Sequence, residues 1–367
     1  MGIMSRRRFG LTSLFAAGAA VPFYNEAALA QLSAIGPLPP DAVKINANEN
    51  PLGPCKEAAE AIRTAVLNGG RYQYEESVTL ASTLASVEQV PSQTVLPYAG
   101  SSDPLHRAVL AFTSPSKPLV IADPGYEAGP RAASLWGAPV IKVPLTKDYR
   151  HDVKAMAEAS PTPGLFYVCS PNNPTGTITP KEDIEWLVAN KPAGSVVLVD
   201  EAYIHLSHTA VKATYLVAQE KDIIVLRTFS KLYGMAGIRA GAAIARPDLL
   251  DKLRTFGISP LPVAGMMGAT ASLKAAYVVP ERRKIVRDTR EDVFAWLDRK
   301  NFSFVPSESN CFMVDTGRPG QETIRALAAE KVYVGRVWPV WPTHVRVTVG
   351  TPEEMAKFKD AFAKVMA

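Results

Sequence analysis

The sequence predicts an α/β fold: a large domain built on a mostly parallel, seven-stranded sheet, followed by a smaller α+β C-terminal domain. Three observations predict it. Seven short apolar runs, over residues 94–98, 118–122, 140–143, 165–169, 196–200, 223–227 and 240–245, have the length and composition of buried strands. Helical spacing alternates with them over 104–112, 127–135, 181–189 and 247–256, and that alternation gives a parallel sheet with helices on both faces. Around residue 256 the pattern changes. A charged amphipathic stretch covers 281–300, then come strands over 302–305 and 311–314, a helix over 321–330, a strand over 345–349 and a last helix from Pro352.

The chain divides accordingly. Residues 31–55 form a Pro-rich N-terminal arm, 56–268 the large domain, opening with a helix over 56–67, and 269–367 the small domain. Residues 1–30 read as a leader. SRRRF at 5–9 has the twin-arginine form, an apolar run follows over 11–23, and Ala28-Leu29-Ala30 is a small-x-small cleavage site. The run is too short and too rich in Ala and Gly to span a membrane. A leader of this kind implies an exported, periplasmic protein carried in its folded state; without it the chain is cytoplasmic.

Net charge is +5, and removing Arg6, Arg7, Arg8 and Glu26 with the leader leaves +3. No basic run remains, so nucleic acid is excluded as a partner. Cys55, Cys169 and Cys311 allow one disulfide at most and read as buried small hydrophobes. His205 and His208 sit three apart with no Cys or carboxylate partner nearby in sequence, so no metal is expected.

The chemistry centres on residues 225–241. An apolar strand ends near Arg227; Ser230, Lys231 and, eight residues on, Arg239 follow, the last between Gly237 and Gly241. An amine at a strand end lies over the cleft where open α/β sheets bind ligands. It can form a Schiff base there, and a nearby cation lowers its pKa. A lone lysine after a strand is ordinarily a solvated surface residue. Its company distinguishes this one.

S-K-L-Y-G-M-A-G-I-R (230–239) resembles the cofactor-lysine motif of fold type I pyridoxal-phosphate (PLP) enzymes, most of all of the histidinol-phosphate aminotransferase group. Further motifs follow that group's order: N-E-N-P-L-G-P (48–54), R-Y (71–72), G-S-S-D (100–103), D-P-G-Y (123–126), S-P-N-N-P-T-G (170–176), D-E-A-Y (200–203) and V-R-V-T-V-G (345–350). The resemblance runs over about 44–360. It implies an aminotransferase that moves an amino group between an amino acid, or amino-phosphate, and a 2-oxo acid. The alternative is a PLP-dependent decarboxylase of phosphothreonine type.

The resemblance also implies roles. Lys231 takes the cofactor aldehyde and later moves a proton at the substrate α-carbon. Asp200 pairs with the pyridine nitrogen, Asn173 and Tyr203 donate to the ring oxygen, and Tyr126 stacks on the ring. Ser101, Ser102 and Asp103, opening a helix, cup the phosphate with Ser230 and Arg239; an ordinary N-cap uses the same residues. Tyr72 matches a tyrosine that reaches this phosphate from a second subunit, which implies a homodimer with shared active sites. Arg346, and less directly Arg336, match arginines that bind the substrate, with Asn48 and Leu52 at its edge. Between the arginines, Trp338 and Trp341 either line the substrate pocket or pack elsewhere.

Departures from the group fall on the substrate side. Leu52 stands where a tyrosine is common, Ser102-Asp103 where an acidic pair is common, and His205 where an acidic residue is frequent. They leave the cofactor residues in place.

Overall fold

The computed structural model describes residues 24–31, 38–257 and 260–367. Eleven strands are described: β1 (Val43–Ile45), β2 (Val95–Tyr98), β3 (Leu119–Asp123), β4 (Val140–Pro144), β5 (Leu165–Cys169), β6 (Val196–Asp200), β7 (Ile223–Thr228), β8 (Gly241–Ala245), β9 (Cys311–Asp315), β10 (Val332–Val334) and β11 (His344–Thr348). The large sheet has seven strands in the order β2-β8-β7-β6-β5-β3-β4. All its pairings are parallel except those of β8, which runs against both β2 and β7.

The central strands are apolar throughout because both of their faces are covered. In β6, Val196 and Leu198 join one hydrophobic cluster while Val197 and Val199 join the other. Such strands carry no alternation, yet their length and flanking turns made all seven visible to within about two residues.

The smaller lobe pairs β9 with β11 antiparallel, in register Arg346 to Met313. The charged stretch is the helix Val278–Arg299, and the chain ends in the helix Pro352–Met366. Thr351 and Glu354 start that last helix with a reciprocal capping box. The expected strand over 302–305 is reduced to a single bridge, Phe304 to Val314. The N-terminal arm contributes β1, which pairs parallel with β10 and ties the arm to this lobe.

Besides the short helices Glu26–Gln31, Val153–Glu158 and Thr214–Ala218, two longer ones have no counterpart among the expected elements. Tyr74–Glu88 carries Ser and Thr between its apolar residues, which blurs a helical stripe. Val263–Lys274 is apolar almost all round, so it has no stripe either. The division expected at 268/269 falls inside this second helix. No helix among the described residues is long and apolar enough to cross a membrane. Of the segment expected to be a leader, residues 1–23 lie outside the described part, and a short helix, Glu26–Gln31, covers its end.

Candidate active site

The topology brings one end of the sheet to a single place. The segments after β3, β5, β6 and β7 leave from the carboxyl ends of parallel strands. β2 runs in the same direction as β7, and β8 enters from the same end. A cavity of about 270 Å³ lies there, and Ser101, Ser102, Tyr126, Asn173, Asp200, Tyr203, Ser230, Lys231 and Arg239 all line it.

Lys231 is buried at the rim of β7. Its Nζ donates to the Asn48 carbonyl at 3.0 Å and lies over the Tyr203 ring. Burial holds this amine below the ordinary lysine range; Glu26 opposes that shift, and Arg346 adds to it. Desolvation is therefore the main cause, ahead of the neighbouring cation the sequence suggests.

Asp200 ends β6 with its carboxylate buried. It accepts from the Tyr167 hydroxyl at 3.0 Å and from the Ala202 amide at 3.1 Å, and no cation pairs with it among the described residues. Burial pushes it up from 3.8 to about 6. A buried carboxyl in this state fits a protonated ring nitrogen. The sign for stability follows. The folded protein holds this proton more tightly than the unfolded chain, so stability falls as pH rises through the window from 3.8 to about 6. A shift of that size is worth about 3 kcal/mol. In the cofactor-free protein, Asp200→Asn is expected to flatten the fall, read as Tm against pH for both proteins. Parallel curves would contradict it.

The anion end is built around Arg239, half-buried with φ at 67°. Its guanidinium donates to the Ser230 hydroxyl at 3.1 Å and to the Ala236 and Ala99 carbonyls, and no carboxylate among the described residues pairs with it. Beside it starts the helix Ser102–Phe112, with free amides at its N-terminus. Gly100, at φ 93°, lets the backbone pass; a Cβ there would collide with the Arg239 guanidinium. A desolvated cation, three hydroxyls and a helix start fit a phosphate. These residues thus fit PLP: an amine for the aldehyde, a carboxyl for the ring nitrogen and a cradle for the phosphate.

The other expected site residues do not line this cavity. Asp103 pairs with Arg107 at 2.7 Å and turns from the cavity. Leu52 is exposed, and Tyr72 is 80% exposed in the single chain. Asn48 is fully buried and donates to the Tyr203 hydroxyl at 2.9 Å and to Cys311 Sγ. All three cysteines are free and buried.

Arg346 is completely buried. It donates to Asn173 Oδ1 at 2.8 Å, to the Asn46 carbonyl at 2.6 Å and to Glu26 Oε1 at 2.6 Å, while its Nε has no partner among the described residues. Gly335 makes room for it: a Cβ there would come within 3.0 Å of that Nε. Arg336 forms a fork on Glu127 at 2.8 and 2.7 Å and also reaches Glu26. Trp338 lies under both guanidiniums, at 4.9 and 5.6 Å from its ring, and donates to the Gly125 carbonyl. Trp341 packs away from them, edge-on to Tyr149. Glu26, Glu127 and Tyr167 are the residues here that motif reading misses. Only Glu127 carried a signal, directly after Tyr126.

A buried network stands beneath the site. Arg227 donates to Glu88 at 3.0 and 2.8 Å and to Glu201, all three side chains being buried. It fixes β6 and β7 beside each other where Asp200 and Lys231 emerge.

Comparison with known proteins agrees with this geometry. The model of the family "Aminotransferase class I and II" matches residues 40–362. A histidinol-phosphate aminotransferase of Symbiobacterium thermophilum is 35% identical over 88% of this chain and 90% of its own length. An aromatic amino acid aminotransferase of Cutibacterium acnes is 32% identical over 89% and 93%. The crystal structure of a Sinorhizobium meliloti histidinol-phosphate aminotransferase in complex with pyridoxal-5'-phosphate shares the fold, with a TM-score of 0.81, 23% identity and coverage of 95% and 96%. Such relatives favour amino transfer over decarboxylation. The chain belongs to the class I and II aminotransferases and is a PLP-dependent transaminase.

Proposed function

We propose that the donor is an amino acid with one carboxylate and a side chain larger and less acidic than that of aspartate, and that the acceptor is a 2-oxo acid. The observation carrying this is the contrast between the two arginines. Arg336 is already neutralised by a bidentate Glu127, whereas the one carboxylate on Arg346 among the described residues is Glu26, from the N-terminal segment 24–31. One cation beside Lys231 suits one acid group. A side-chain carboxylate would meet Glu127 and be repelled.

The roles of the chain's residues follow. PLP, when bound, supplies the electron sink. Lys231, its amine held by burial below the ordinary lysine range, holds the cofactor and then carries the proton at the substrate α-carbon. Arg346 and Asn173 fix the substrate carboxylate, and so the angle of that carbon. Arg239, Ser101, Ser102 and Ser230 hold the phosphate. Purified protein mixed with an amino acid panel and 2-oxoglutarate tests the proposal. Glutamate formed faster with phenylalanine than with aspartate supports it. A preference for aspartate, or release of carbon dioxide without new amino acid, overturns it.

A homodimer with Tyr72 reaching the partner's phosphate site is the second part of the reading. Val66, Leu67, Tyr72, Tyr74 and Val78 form an exposed apolar run around that residue, as a surface awaiting a second copy does. Light scattering should give twice the chain mass. A dimer structure with the Tyr72 hydroxyl beyond hydrogen-bond distance of both phosphate sites would refute it. The leader pattern supports export of the folded enzyme. N-terminal sequencing of exported protein should start at Gln31, and a retained leader would refute cleavage.

A further inference from the structure

Residues 24–31 lie across the mouth of the active site. Asn25, Glu26 and Ala27 line the same cavity as Lys231 and Asp200. The segment is held along its length. Tyr24 lies under the Arg131 guanidinium at 4.5 Å, Asn25 caps the turn through its side chain to the Ala28 amide, and Leu29 is fully buried in the main core cluster. At its centre Glu26 places Oε1 on Arg346 at 2.6 Å and on Arg336 at 3.0 Å, and Oε2 accepts from Asn173 at 3.3 Å.

Two of them, Arg346 and Asn173, are the groups that the proposed function gives to the substrate carboxylate. Burial would raise the Glu26 carboxyl, but Arg346, Arg336 and Lys231 hold it down at about 2. It is therefore a carboxylate, as a substrate is, at any pH where the enzyme works. Among the described residues it is also the one carboxylate on Arg346. A buried arginine left without an anion is costly, so the site favours either Glu26 or an incoming acid, and not both.

Resting on that reading, we infer that the chain carries its own competitive occupant: the segment 24–31 docks in the substrate mouth with Glu26 in place of the substrate carboxylate, and the enzyme opens when the segment is lost or displaced. Glu26 lies before Ala30, so cleavage at the leader site would remove it. An exported enzyme would then be closed while its leader is attached and open after processing.

The test compares three PLP-loaded proteins: the full chain, Glu26→Gln in the full chain, and a chain beginning at Gln31. The probe is 3-phenylpropanoate, an acid with no amino group, titrated by calorimetry. A tethered competitor lowers apparent affinity by the fraction of molecules that are open, so removing it should tighten binding about tenfold or more. The expected result is such tightening in both altered proteins. Equal affinities in all three overturn the inference while leaving the transaminase reading intact. Tightening in the shortened chain alone overturns the role of Glu26. No binding by any of them overturns the carboxylate site itself, and the proposed function with it.

Discussion

Replacing Lys231 with alanine is expected to abolish amino transfer. The residue has two duties in the account, holding the cofactor and moving the proton at the reacting carbon. The second alone is worth roughly 10²- to 10⁴-fold in rate. The fold should survive, because among the described residues the amine bonds only to the Asn48 and Ala47 carbonyls at the edge of the cavity. Turnover with phenylalanine and 2-oxoglutarate, beside a circular dichroism spectrum, checks both halves. A folded variant that keeps most of its rate would contradict the role of Lys231.

Arg346→Ala carries the second large expected effect. Arg346 is fully buried on β11, stacked over Trp338, and its guanidinium meets Asn173 at the bottom of the substrate mouth. Removing one partner of a buried, charge-paired hydrogen bond costs about 2–5 kcal/mol, roughly 30-fold to several thousand-fold. The loss should fall on kcat/KM for amino acids. The cofactor should stay bound, since Arg346 does not line the cavity that holds Arg239, Asp200 and Lys231. Arg346→Lys should recover only part of the loss, because an ammonium cannot reproduce the bidentate fork. Equal losses of cofactor and activity would contradict the division of labour, as would full activity toward an amine that has no acid group.

How far the sequence reached can be read from individual residues. The seven strands of the large sheet were legible because β-branched runs between turn residues leave few other readings. Lys231, Asp200, Asn173, Tyr126 and Tyr203 were legible through the motifs that resemble the family's, and each lies at or within four residues after the end of a strand. The helices Tyr74–Glu88 and Val263–Lys274 were not, since neither shows an apolar stripe of helical period. Asp103 has the right neighbours for a phosphate cup, yet Arg107, one helical turn on, draws it away. Trp338 and Trp341 look equivalent in sequence, and only the turn between them sends one under the arginines and the other to Tyr149. Glu26 was read as part of a leader. Its place on Arg346 depends on contacts across 320 positions of chain, which no local pattern encodes.

The central claim is that this chain works through a cofactor held on Lys231 at the carboxyl end of the large sheet. Borohydride reduction of the PLP-loaded protein, followed by peptide mass spectrometry, tests it most directly. The account predicts a single pyridoxyl label, on Lys231. A label on any other lysine, or none, would contradict it.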